Sequence, residues 1–120
     1  MPNKERVDGV QYESPGVITP ASAAEDIFRH GRPEEVSRAL ITAALSGENR
    51  LWTEQWIIQL SRHNESSVRC SSAVSLGHLA RLHGEVSQEA MKAVAALRGD
   101  GATVDAAGSS LEDIEIFCRK

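Results

Sequence analysis

Four histidines and two cysteines are the residues of this chain best equipped for metal or nucleophilic chemistry, and their spacing is wrong for both. His30, His63 and His78 are far apart in the chain. His78 and His83 are five apart, which on a helix turns them to different faces. Cys70 and Cys118 fall in separate predicted helices and match no metal-ligand spacing. Both read as thiols in a reducing cytoplasm, although a disulfide between neighbouring helices is not excluded by sequence. Cys70 lies among small residues, where burial is expected before nucleophilic exposure. No glycine-rich phosphate loop, nucleophile elbow or His-Glu-x-x-His occurs. The carboxylate pairs Glu25-Asp26 and Glu34-Glu35 sit early in predicted helices, where the helix dipole explains them. The expectation is a protein with no catalytic residues, no metal and no cofactor.

The elements that carry these residues are helical. The segment from Ser67 to Gly84 reads as a helix packed on two sides. At about 100° per residue, Val68, Ser72, Ser75, Leu76, Leu79 and Leu82 share one face. Cys70, Ala73, Gly77 and Ala80, all small, gather on the opposite one. A surface helix needs a single apolar stripe. A second stripe of small residues lets another backbone approach closely, so Ala73 and Gly77 are expected at a helix–helix contact.

Five further helices follow from the punctuation. Thr19-Pro20 opens one over 20–30, stopped by Gly31. Pro33 opens the next, with Glu34 and Glu35 in its first turn, Val36, Ala39, Leu40 and Ala43 as its core stripe, and Gly47 at its end. A third covers about 50–62 and carries Trp52, Trp56 and Leu60. Two readings are open for the tryptophans, an exposed aromatic anchor or aromatic core, and the continuous stripe favours core. Helix five starts from Ser87 and ends at Gly99-Asp100-Gly101, and helix six covers about 103–118. Residues 1–18, with Pro2, Gly9, Pro15 and Gly16, read as a flexible N-terminal arm before a single domain over 19–120. Only residues 10–12 and 17–18 offer β-prone runs.

Composition narrows the function. The chain has 120 residues, suited to one domain. Seventeen acids against thirteen bases leave a formal charge of −4, with arginines dispersed rather than clustered, which disfavours a nucleic-acid groove. No uncharged run approaches a membrane span, and the charged N-terminus lacks a signal peptide's apolar core. The acidic balance is compatible with a basic partner without demonstrating one.

Six helices with short links divide into three antiparallel hairpins. Val68-Arg69, Ala73, Leu76-Gly77-His78-Leu79-Ala80-Arg81-Leu82-His83 and the terminal Ser110-Leu111-Glu112-Asp113-Ile114-Glu115-Ile116-Phe117 resemble the small bacterial HEAT-like proteins, most strongly over residues 66–118. Trp52 and Trp56 fit the same pattern. Val104-Asp105, Ala107-Gly108 and Leu111 partly echo the Val68 segment, as a last repeat serving as a cap would. Ser71, Ser72 and Ser75 depart from the pattern, which usually has alanines there. The resemblance implies a HEAT-like α-solenoid of three hairpins. It also implies an immunity protein that neutralises a cognate bacterial toxin by binding it. An adaptor or regulatory scaffold with no toxin partner is the alternative.

The terminal helix is the candidate contact. Val104, Ala107, Gly108, Leu111, Ile114 and Cys118 are expected to face inward, with Phe117 at the boundary. Asp105, Glu112 and Asp113 gather outside with Ile116 among them. An apolar side chain ringed by carboxylates suits docking of a basic toxin domain, a nuclease among the candidates. A solvated cap helix with one incidental isoleucine is the other reading.

Overall fold

The structure, a computed structural model, describes residues 20–118. Thr19 and the expected arm over 1–18 lie outside them. Six α-helices account for most of the described residues, and no strand occurs among these. They are α1 (Pro20–His30), α2 (Pro33–Ser46), α3 (Arg50–Leu60), α4 (Ser66–His83), α5 (Gln88–Ala96) and α6 (Val104–Phe117). A 3₁₀ turn, Leu97–Gly99, follows α5. The sequence boundaries agree to within a residue or two. Gly47 and Gly84 end α2 and α4 at φ of 66° and 71°, a left-handed conformation that only glycine adopts without strain.

Helix α4 is the centre of the molecule. It packs most extensively against α2 on one side and α6 on the other, and also touches α3 and α5. Val68, Ser72, Ser75, Leu76 and Leu79 are fully buried, and so are Ala73 and Ala80 of the small stripe. Helix α4 is therefore covered on both flanks, as its two stripes predict. Leu82 departs from that expectation. It lies one turn past the last buried residue of its stripe, beyond the reach of the core, and is largely exposed.

The three even-numbered helices run side by side in one direction. Near their starts, Ser37 Oγ of α2 donates to the Ser67 carbonyl at 3.4 Å, and Cys70 Sγ donates to the Ala102 carbonyl at 3.3 Å. At their ends, Gly47 lies against Leu82, and Gly84 lies against the Phe117 carbonyl. Helices α3 and α5 pack on the other side of this row and touch each other.

A buried carboxylate locks that second layer. Glu54, 1% exposed on α3, accepts from Arg50 Nη1 at 2.7 Å and from the Ser87 backbone N–H at 3.1 Å. Ser87 is the N-cap of α5, so one acidic side chain ties α3 to the positive start of α5. Arg69 does comparable work between loops. Its guanidinium donates to the His63 and Asn64 carbonyls at 2.8 and 2.9 Å and to Asp100 Oδ2 at 2.8 Å.

Helix α1 is held by aromatics. Phe28 contacts Trp56 and Trp52 with ring centroids 4.8 and 5.9 Å apart. Trp52 Nε1–H donates to Glu25 Oε2 at 2.8 Å. Trp56 is core as expected, whereas Trp52 is half-buried. In α2 the buried residues are Val36, Leu40 and Ala44, so Ala43 yields its expected core place to Ala44. Ser71, Ser72 and Ser75 of α4 are buried, and the Ser75 hydroxyl has no hydrogen-bond partner among the described residues. Ser71 and Ser72 return their hydroxyls to the carbonyls of Ser67 and Val68, at 3.0 and 3.2 Å.

Candidate partner-binding surface

Helix α6 presents its charges much as its wheel predicts, with one correction. Asp105, Glu112 and Ile116 are exposed on a single stripe, because spacings of seven and four return to the same side of a helix. Asp113 does not join them. It stands three residues after Ser110, which is buried against α4, and therefore turns toward α4, where its carboxylate pairs with Arg81. The inward face is also redrawn. Ala107, Ser110 and Ile114 are buried, Val104 is exposed, and Gly108, Leu111 and Cys118 are half-buried.

Arg81 is the hinge of a small cross-helix cluster. Its guanidinium reaches Asp113 on α6 and, through its other terminal nitrogen, the Nδ1 of His78 on its own helix. Burial holds the His78 pKa below the usual 6.5, and the Arg81 charge lowers it further against the opposing pull of Asp113. His78 is thus kept neutral and able to accept from Arg81. The cluster is a brace between α4 and α6, and its charges are already matched.

The neighbouring surface is formed by the ends of α2, α4 and α6, which fall together because these helices are aligned. Four large apolar side chains there face solvent: Leu45 at 55%, Leu82 at 55%, Ile116 at 61% and Phe117 at 45% exposed. Phe117 is therefore surface rather than core. Glu48 and Glu85 follow α2 and α4 directly, and Glu112 and Glu115 flank Ile116 on α6; all four are exposed. Three helix C-termini add their partial negative charge. Of the basic residues in these last turns among the described residues, Arg81 is engaged by Asp113, and His83 stands at the end of α4. An apolar centre within an acidic surround is the chemistry of a docking face for a cationic protein.

Sequence reasoning found Ile116 and Glu112 but missed Leu45, Leu82 and Phe117 as companions. The signal was available in part, since each lies in the last turn of a helix, two residues from a glycine or an acid. Their convergence depends on the direction of the helices, which no local pattern encodes.

Elsewhere the chemistry is sparse. His63 Nδ1 accepts from the Glu65 N–H at 3.0 Å, in the loop between α3 and α4. Among the described residues no group of three or more His, Cys, Asp or Glu is placed to hold a metal ion, and Cys70 and Cys118 form no disulfide. No helix among them is long and apolar enough to cross a membrane.

No family model matches the chain, and no curated protein matches it. Among solved structures, a chain in the crystal structure of a CDI complex from Cupriavidus taiwanensis LMG 19424 is similar to it. The TM-score is 0.74 at 25% sequence identity, over 93% of this chain and 100% of that one.

Proposed function

We propose that this chain is a HEAT-like immunity protein that neutralises a cognate bacterial toxin by direct binding in the cytoplasm, without catalysis of its own. The observation that carries the reading is the likeness, over nearly the whole chain, to a component of a CDI complex. In contact-dependent inhibition such a complex pairs a toxin with its immunity protein. The aligned row of α2, α4 and α6, backed by α3 and α5, supports a short α-solenoid of stacked hairpins.

The contact is the surface at the ends of α2, α4 and α6. Ile116 and Phe117 are its apolar anchors, with Leu82 and Leu45 extending the patch. Glu112 and Asp105 steer the partner, and Asp113 braces the fold instead. A basic toxin domain fits this face, and toxins that hold nucleic-acid phosphate carry such charge.

Co-expression tests the reading. The C-terminal domain encoded by the adjacent gene is expressed in a susceptible bacterial host with and without this chain. Growth arrest that the chain relieves, with co-purification of the two polypeptides, is the expected outcome. Arrest that persists despite a folded, expressed chain sinks it.

A further inference from the structure

The cations of this chain divide by whether an acid answers them. Arg29, Arg32, Arg50, Arg69 and Arg81 each pair with a carboxylate. Arg62, Lys92 and Arg98 are exposed and pair with none among the described residues. Arg62 and Lys92 line an open groove of about 450 Å³ between α3 and α5, behind the row of α2, α4 and α6. Arg98 directly follows Leu97, another lining residue. Ile58 of α3 with Ala93 and Ala96 of α5 give the groove an apolar floor, and Glu89 is its one carboxylate. Helix α3 leads from the end of α2 to the start of α4, and α5 from the end of α4 toward the start of α6. Arg62 and Arg98 follow their last turns, so both stand where α4 and α6 begin. The acid-ringed patch of Ile116 and Phe117 stands where those helices end. The chain therefore carries unanswered positive charge and its acidic apolar face at opposite ends.

We propose that a second copy of this chain docks its acidic face in the α3–α5 groove, so that free molecules associate head to tail. The two surfaces complement each other in both respects that matter. Ile116 and Phe117, at 61% and 45% exposed, are large apolar side chains without cover, and the groove offers them an alanine-lined apolar floor. Glu112 and Glu115, which flank Ile116, meet Arg62 and Lys92, which have no acid of their own. The contact joins two different surfaces, so each added copy leaves one face and one groove open, and the assembly grows rather than closing at a pair. A net charge of −4 on every copy opposes growth and keeps the association weak. Salt screens exposed charges and loosens it further. Because the face is the one assigned to the toxin, a toxin would displace the neighbouring copy. That consequence rests on the proposed function, whereas the self-association does not.

Sedimentation velocity of the full chain, with no toxin present, tests this. In low salt the average mass should rise with concentration above the 13.0 kDa of one chain, and high salt should return it to that value. Arg62→Glu with Lys92→Glu removes the groove's charge and keeps the face. Glu112→Lys with Glu115→Lys removes the charge of the face and keeps the groove. All four positions are exposed, so helix content by circular dichroism should not change. Each variant alone should stay monomeric. An equal mixture of the two should form a pair of one copy each and nothing larger, because only one intact face and one intact groove are then present. A parent that is monomeric at every concentration overturns the proposal and leaves the groove to another acidic partner. Association that survives in either variant, or a mixture that stays monomeric, overturns it equally.

Discussion

Gly77 of α4 faces Ser110 of α6 so closely that a Cβ added to it would already touch α6. A Cβ built on Gly77 would lie 3.6 Å from the Ser110 Cα, 3.4 Å from its Oγ and 3.1 Å from Asp113 Oδ2. The glycine sets the approach of the two helices, and the Arg81–Asp113 pair closes over it one turn further on. Gly77→Leu should therefore cost about 1–3 kcal/mol through overpacking, even though leucine is the better helix former by roughly 0.8 kcal/mol. Thermal melts of the two proteins decide it, and a Gly77→Leu variant as stable as the parent contradicts the close contact.

The Glu54 clamp predicts a larger loss. Removing this carboxylate leaves Arg50 without its closest acceptor and the Ser87 N–H without a partner in a part-buried place. Glu54→Ala should destabilise by about 2–4 kcal/mol, measured as the urea unfolding midpoint. Exposed Glu89→Ala serves as the control and should stay within about 0.5 kcal/mol of the parent.

Acid should weaken the fold in two steps. His78 has a folded pKa below 6.5, so in that range the unfolded chain binds the proton more readily. Its contribution is intact above about 6.5 and declines as pH falls through that range. Asp100 gives the second step. Its carboxyl is held below the usual 3.8 by the Ala102 backbone N–H and then by Arg69. That contribution is present above 3.8 and is lost as pH falls below it. His78→Gln should flatten the first decline and Asp100→Asn the second, in urea melts run from pH 8 to 3. A parent profile with no decline below neutrality refutes both assignments.

Charge reversal on α6 should separate fold from binding. Asp113→Lys opposes Arg81 and should lower stability by about 0.5–1 kcal/mol. Glu112→Lys touches no partner on α4 and should leave the melting temperature unchanged. Thermal denaturation of the pair checks the contrast, and equal effects mean that Asp113 and Glu112 share one environment after all.

Binding kinetics follow from the same surface. With the toxin domain identified by co-expression, Glu112→Lys should slow association in a salt-dependent manner, because exposed charges mainly steer encounter. Ile116→Ala with Phe117→Ala should raise the dissociation rate with little change in association. Surface plasmon resonance reads both. Parent kinetics in both variants place the contact away from the ends of α2, α4 and α6.

Helix positions were legible in the sequence because their determinants are local. Pro33, Gly47, Ser87 and Gly84 act within one turn of where they stand, and each marks a boundary in the structure. The two-sided burial of α4 was legible for the same reason, since a residue's place on the wheel depends only on its number. The fate of Asp113 was not. On its own helix it looks like one more outward acid, and only the position of Arg81 on α4 turns it into a brace. Glu54 reads as an ordinary polar residue between Thr53 and Gln55 until α5 arrives and its N-cap amide needs an acceptor. Leu45, Leu82 and Phe117 are 37 and 35 residues apart in sequence and become one patch through the common direction of three helices. Periodicity tells each helix which of its sides is apolar, whereas packing between helices decides which side is covered.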